Sequence, residues 1–459
     1  MPRHLRYLYI WPPAYQTMSV LVPNLFNLPF CDFGLGPIDG GLRSLVAYVA
    51  SRSYGCPYCS VHCAQLGTIW RGAKVYLSHA AKAMMPEPDR SVFDAKELAA
   101  IRIGKKLGPI PSEITTEDIK EMASVYTAKE QECVINAAAL MGFLNRFMDT
   151  SGMALELESL ETAVEHLAET GWAPGVHHDP EADKELIAED RLETRKREER
   201  ETAKACGDFT FMKMLIGAKR EDRALLKDIP TSDKEVQQLC VELAGFAPYY
   251  LCGERRVTLD NARNAFVWTF TRQLCRGSEE VPAGVKQLMC YICATYAENM
   301  VLRAHYAFMA HRNGVSIAKL QQAAVAEGGD FGGDLADDEK GGGDVKLAAA
   351  VDLARAASAS PSAVTAALAK KLMRIYSPPG VVELLTTVSL ATMYHRWTSV
   401  YTPIAYELEI AAFLHEHGAE LSIDAMNPCS YEQSGWDAVV SEARGLKGVA
   451  LPRHPGTSE

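Results

Sequence analysis

The segment Tyr54-Gly55-Cys56-Pro57-Tyr58-Cys59-Ser60-Val61-His62 places two thiols with two residues between them and an imidazole within two helical turns of both. Thiols at this spacing can close a small disulfide, and a thiolate at a helix N-terminus beside a histidine ionises below the usual value of about 8.5. The neighbouring residue types say where two helices meet. Gly55 suits the C′ position of a preceding helix and Pro57 the first position of the next, so Cys56 becomes the N-cap and Cys59 falls in the first turn. His62, three residues beyond Cys59, then shares its face. The chemistry expected is thiol redox, in which one thiolate attacks an electrophilic oxygen or sulfur and the other thiol captures the product.

The elements that must position these groups read as helices. Leu42, Leu45, Val46 and Val49 lie on one face, as do Val134, Ala138, Leu140, Met141 and Leu144, and later Leu384, Val388, Leu390 and Met393. Alternating, strand-like segments are scarce, which predicts an all-α chain. Its 459 residues exceed one ordinary core, and a domain of roughly 150 residues predicts two or three units. The chain also repeats itself. Gly41–Val49 aligns with Gly284–Ile292, and the same register carried to Ala64 gives five identities, placing His62 on His305, Cys56 on Asn299 and Cys59 on Leu302. Downstream, Tyr126 and Asn145-Arg146-Phe147 correspond to Tyr376 and His395-Arg396-Trp397. Two similar halves are therefore expected, the second without thiols at those positions. The predicted divisions are a first domain over 18–172, a charged helical linker over 173–226, a second domain over 227–425 with a Gly/Asp-rich loop at 326–345, and a tail over 426–459.

Composition narrows the function. A net charge of −11 and a pI near 5.6 argue against a nucleic-acid binder, since no basic cluster interleaved with aromatics is present. No apolar run reaches the ~18 residues of a membrane span, so a soluble chain is expected. The first acidic residue is Asp32. An acid-free start with Arg3 and Arg6 leaves organelle import as an alternative to the cytoplasm. The 12 cysteines sit mostly in apolar helical runs, which fits a reducing compartment. Cys133, Cys240 and Cys275 read as small buried hydrophobes, and so do Cys290 and Cys293, which align with Ala47 and Ala50 rather than with Cys56 and Cys59. Cys63, next to His62 but turned about 100° round the helix, reads as structural.

The run Leu45-Val46-Ala47 through Ser51-Arg52-Ser53-Tyr54-Gly55-Cys56-Pro57-Tyr58-Cys59-Ser60-Val61-His62, with Ala137–Phe147 later, resembles the signature helices of the carboxymuconolactone decarboxylase/AhpD-like family. The resemblance covers most of residues 20–165 and, more faintly, 228–425. It implies an all-α tandem of AhpD-like bundles packed as an intrachain pseudo-dimer, with three chains forming a hexamer-like homo-oligomer. It also implies alkylhydroperoxidase-type chemistry: Cys59 peroxidatic, Cys56 resolving, His62 the base, a small hydroperoxide as substrate and an external dithiol as reductant, with no cofactor. In the family the histidine follows the second cysteine by four positions; here it follows by three. The family glutamate lies about a dozen residues before the first cysteine, where Ser44 stands here, so Tyr54, Tyr58 or Glu132 would have to supply the missing group.

Other readings follow from the same residues. Cys-Pro-Tyr-Cys is also a glutaredoxin tetrapeptide, with Cys56 as nucleophile, but that fold needs a strand where Gly41–Tyr54 is helical. A double-domain chain with one chemically dead half, a missing glutamate and long charged insertions could be a scaffold or interaction protein that kept its fold, and decarboxylase-type chemistry is a further alternative. Zinc on Cys56, Cys59, His62 and Cys63 lacks a distant second ligand pair. The Asp334, Asp337, Asp338 and Glu339 cluster lacks calcium-loop spacing, so no metal is expected. His177-His178-Asp179-Pro180 reads as loop and N-cap chemistry before a charged helix over 181–204.

Overall fold

A computed structural model describes residues 7–27, 36–71, 73–88, 90–201, 221–253, 256–324, 342–403 and 405–424. The tail beyond 424, residues 202–220 and the Gly/Asp-rich stretch 325–341 lie outside the described residues. Among those described, every regular element is helical. The order is α1 (Pro12–Leu25), α2 (Gly40–Tyr54), α3 (Pro57–Arg71), α4 (Ala73–Ala83), α5 (Ala95–Leu107), α6 (Thr116–Val125), α7 (Ala128–Ser151), α8 (Leu157–His166) and α9 (Lys184–Glu201). Then come α10 (Asp233–Ala244), α11 (Tyr249–Cys252), α12 (Asp260–Thr269), α13 (Ala283–Tyr296), α14 (Met300–Arg312), α15 (Ile317–Ala324), α16 (Gly342–Ser358), α17 (Ala366–Ile375), α18 (Pro378–Val400) and α19 (Leu408–Leu421). Residues 342–345, expected as loop, open α16. No helix among the described residues is long and apolar enough to cross a membrane.

Local chemistry explains the boundaries. Asp39 caps α2 by accepting from the Leu42 amide at 2.9 Å, and Thr115, Thr127 and Ser232 cap α6, α7 and α10 in the same way. Gly55 ends α2 at φ 92°; a side chain there would be strained and would also touch Pro361, whose Cδ lies 3.3 Å from the Cβ position. α9 presents its described side chains to solvent or leaves them half-buried, as its charge pattern predicts.

Helices α2–α8 and α13–α19 follow one order, and matching residues make matching contacts. Tyr126 donates to the Lys96 carbonyl and Tyr376 to that of Lys346, with the lysine ammonium over the ring at 5.5 and 5.4 Å respectively. His62 pairs with Glu156 at 3.1 Å and His305 with Glu407 at 2.9 Å. The two long helices α7 and α18 pack directly on each other, closely enough that a Cβ on Gly142 would stand 2.8 Å from the Thr392 carbonyl and 3.1 Å from the Met393 Cα.

The N-terminal helix does not stay with the first set. Asn24 donates to Asp222 at 2.6 Å and Gln273 to the Pro13 carbonyl at 3.5 Å, while Met18, Val22 and Phe26 turn toward the thiols. α1 also packs against both α7 and α18, and so spans both sets.

Gly142 is the tightest point of this packing, because backbone rather than a flexible side chain opposes it. Gly142→Val is expected to cost about 3 kcal/mol in thermal or denaturant unfolding. Gly152→Ala, at φ 60° with nothing within 4 Å of the Cβ position, is expected to cost only the left-handed strain of about 1 kcal/mol. Equal losses at the two positions would contradict the close helix approach.

Candidate active site

Cys56 sits where α2 hands over to α3. Its Sγ accepts from the Cys59 amide at 3.4 Å, so the sulfur itself caps the helix. Both thiols are buried, at 1% and 5% exposure. They face different surroundings. Cys59 lies on the wall of an apolar cavity of about 160 Å³. Met18, Val22 and Phe26 of α1 and Leu140 and Leu144 of α7 line it, together with Tyr58, His62 and Cys63. Cys56 lies on the opposite, charged side.

On that side stands His177, fully buried. Its Nδ1 donates to the Met153 carbonyl at 2.7 Å, while Nε2, buried and without a hydrogen bond, lies 3.6 Å from the Asp149 carboxylate. Burial alone would raise the Cys56 pKa, but the neighbouring Cys59 thiol and the nearby His177 imidazolium outweigh it and bring it down to about 6. Burial alone would lower His177, but Asp149 and Cys56 raise it to about 10. Cys59 moves the other way: burial, then its neighbour Cys56, push it well above the ordinary range. Burial holds Cys63 up at about 12, and its Sγ lies 3.9 Å from the Met141 sulfur.

The histidine expected as base is turned elsewhere. His62 faces the Tyr58 carbonyl with Nδ1 at 2.7 Å and Glu156 with Nε2 at 3.1 Å, which leaves neither nitrogen for a thiol. Tyr58 stacks on the ring at 4.3 Å and donates to the same Glu156 at 3.2 Å. The matching pair His305–Glu407 exists where Asn299 and Leu302 replace the cysteines, so the His–Glu contact does not depend on thiols.

Ser44 and Glu132 are not brought to this site. The Ser44 hydroxyl is buried without a hydrogen-bond partner. Glu132 accepts from the Thr258 and Leu259 amides at 2.9 Å, capping the start of α12. Tyr54, beneath Cys56, is held protonated by burial. His177 is no loop residue: Asp179 does accept from the Glu181 and Ala182 amides as turn chemistry predicts, but the preceding imidazole turns inward to the thiol. Two signals pointed to this arrangement. Asp149 is an acid in the last turn of an apolar helix, where the macrodipole disfavours it unless it is paired. Glu156 and Glu407 head corresponding helices of the repeat.

Among the described residues no group of three or more His, Cys, Asp and Glu side chains is arranged to hold a metal ion. Fold and site together define an all-helical protein with a buried dithiol at a helix N-terminus, ion-paired on one side and facing an apolar cavity on the other. Comparison with protein-family models, with curated proteins and with solved structures found no match.

The charge pair sets a pH window. The depressed Cys56 pKa contributes stability that is complete above its ordinary 9.0 and lost as pH falls through about 6. The raised His177 pKa contributes stability that is complete below 6.5 and lost as pH rises through about 10. Thiolate ultraviolet absorbance is expected to titrate with a midpoint near 6 in the native protein. His177→Asn is expected to move it upward by more than about one pH unit, while His62→Asn leaves it in place. The opposite ranking of the two variants would assign the ion pair to His62.

Proposed function

We propose that the chain is a thiol-dependent peroxidase of AhpD-like type, built from two such units of which only the first carries the redox pair. The observation that carries this reading is the division of labour between the sulfurs, with Cys59 on the cavity wall and Cys56 holding the negative charge against His177. In the resting state the pair shares one charge, so its titration belongs to both sulfurs. A hydroperoxide entering the cavity meets Cys59, whose proton passes to the Cys56 thiolate. The Cys59 sulfur takes the terminal peroxide oxygen, and the O–O bond breaks. The alkoxide leaves as the alcohol after taking a proton, for which His62 and Tyr58 stand on the cavity wall.

The Cys59 sulfenic acid then condenses with Cys56: an S–S bond forms, and the sulfenic oxygen leaves as water. An external dithiol reduces the disulfide by two electrons and closes the cycle. The apolar lining favours a hydroperoxide with a small hydrocarbon group over hydrogen peroxide, which would lose its water contacts there. Glu156, held on His62 and Tyr58, supplies the acid that the family pattern places where Ser44 stands. Within the same reading, three two-domain chains assemble as a hexamer-like trimer.

Thiol mass spectrometry before and after one equivalent of an alkyl hydroperoxide tests the chemistry. The native protein is expected to form a Cys56–Cys59 disulfide, and Cys56→Ser to accumulate a sulfenic acid on Cys59. Oxidation of neither cysteine ahead of Cys133 or Cys240 would leave the chain a scaffold. A sulfenic acid on Cys56 in Cys59→Ser, with none on Cys59 in Cys56→Ser, would reverse the roles.

A further inference from the structure

Three sulfur side chains meet on the wall of the apolar cavity beside the redox pair. Cys63 follows Cys59 by one turn of α3, so the two share a face with Cβ atoms about 6 Å apart, and both line the cavity. From α7, Met141 brings its thioether to 3.9 Å from the Cys63 Sγ and lines the same space, as do Met18 of α1 and Met148 of α7. We propose that this cavity binds a single copper(I) ion held by Cys59, Cys63 and Met141, a property separate from the peroxide chemistry of the thiol pair.

Geometry and ligand chemistry select the ion. A metal–sulfur bond of about 2.3 Å sets three trigonal ligands about 4 Å apart, and the Cys63–Met141 separation of 3.9 Å already has that value. Soft thiolate and thioether ligands take copper(I), whereas a structural zinc ion asks for four thiolate, imidazole or carboxylate ligands. Among the described residues lining the cavity there is no carboxylate, and the Tyr58 carbonyl and Glu156 occupy both nitrogens of His62. The charge balances as well. Cys56 holds one negative charge in the resting pair; as the ion binds, Cys59 passes its proton to Cys56 and Cys63 releases its own to solvent. One cation enters, one proton leaves and no electron moves, so the buried site keeps its net charge. The repeat lacks all three sulfurs. The register that sets His62 on His305 puts Leu302 at Cys59 and Tyr306 at Cys63, and the register that sets Arg146 on Arg396 puts Ala391 at Met141. The scaffold therefore does not itself require sulfur at these positions.

The test is a titration of the full chain, kept reduced under nitrogen, with copper(I) alone in competition with a chromogenic copper(I) chelator. No peroxide enters, so the outcome is independent of whether the thiols reduce peroxides. The native protein is expected to hold one copper(I) ion more tightly than any further one. Cys63→Ser is expected to weaken that uptake by at least about tenfold, and Met141→Leu, which conserves volume, by several-fold; the second variant decides the matter if the first does not fold. Cys56→Ser is expected to weaken uptake less than Cys63→Ser, because Cys56 supplies only a proton acceptor. Absence of a tightest one-to-one site in the native protein overturns the proposal. So does unchanged uptake in either folded variant, or the largest loss in Cys56→Ser, which would place the ion on the Cys-x-x-Cys pair.

Discussion

Two buried arginines hold the molecule to its arrangement. Arg146 of α7 donates to the carbonyls of Ser358 and Ala359 and to the Thr392 hydroxyl, all belonging to the second set of helices. Arg396 of α18 reaches back to the carbonyls of Ala138 and Gly108 at 3.0 and 2.9 Å. The Tyr54 ring lies between the two guanidiniums, 5.1 Å from one and 5.6 Å from the other. Burial, opposed by Tyr54 and reinforced by Arg146, draws Arg396 down to about 10. Two like charges this deep persist because each meets main-chain carbonyls and shares an aromatic face. Gly142 permits the close approach of α7 and α18 that lets both side chains cross.

The crossing also completes the thiol site. Drawn in by Arg146, the segment 358–362 lays Ser360 against the Tyr54 carbonyl at 2.9 Å, Pro361 against Gly55, and the Ser362 amide on the Asp149 carboxylate. Asp149 orients the charge of His177, and His177 stabilises the Cys56 thiolate. The first set of helices supplies the sulfurs, but the second holds the acid that tunes them. A second set without the Cys-x-x-Cys pair at the helix junction is thus no passenger: removing it would strip the Asp149 carboxylate of a backbone donor and expose the Gly55 turn.

The two sets spend the same scaffold differently. Each begins its second helix, α3 or α14, with a capping side chain, and each ties that helix to a glutamate at the head of a later one. In the first set the cap is a sulfur that can ionise and the later helices bring a histidine to it. In the second, the Asn299 amide caps.

Much of this was legible from neighbouring residues alone. The helical periodicity, the Gly55 stop, the Pro57 start and the placing of Cys56 as cap depend on interactions within four or five residues, which residue types encode directly. The choice of thiol partner was not legible. His62 is close in sequence and on the right helical face, yet Tyr58 and Glu156 claim both its nitrogens, and the imidazole whose charge bears on Cys56 arrives on the short 3-10 turn Gly175–His177 far along the chain. No local pattern specifies which of two histidines a buried sulfur will meet, or that an acid on α7 will be held by an amide from the other half. Those pairings come from long-range packing, where the cost of leaving a buried charge alone selects the partner, and only the folded chain brings the partners within reach.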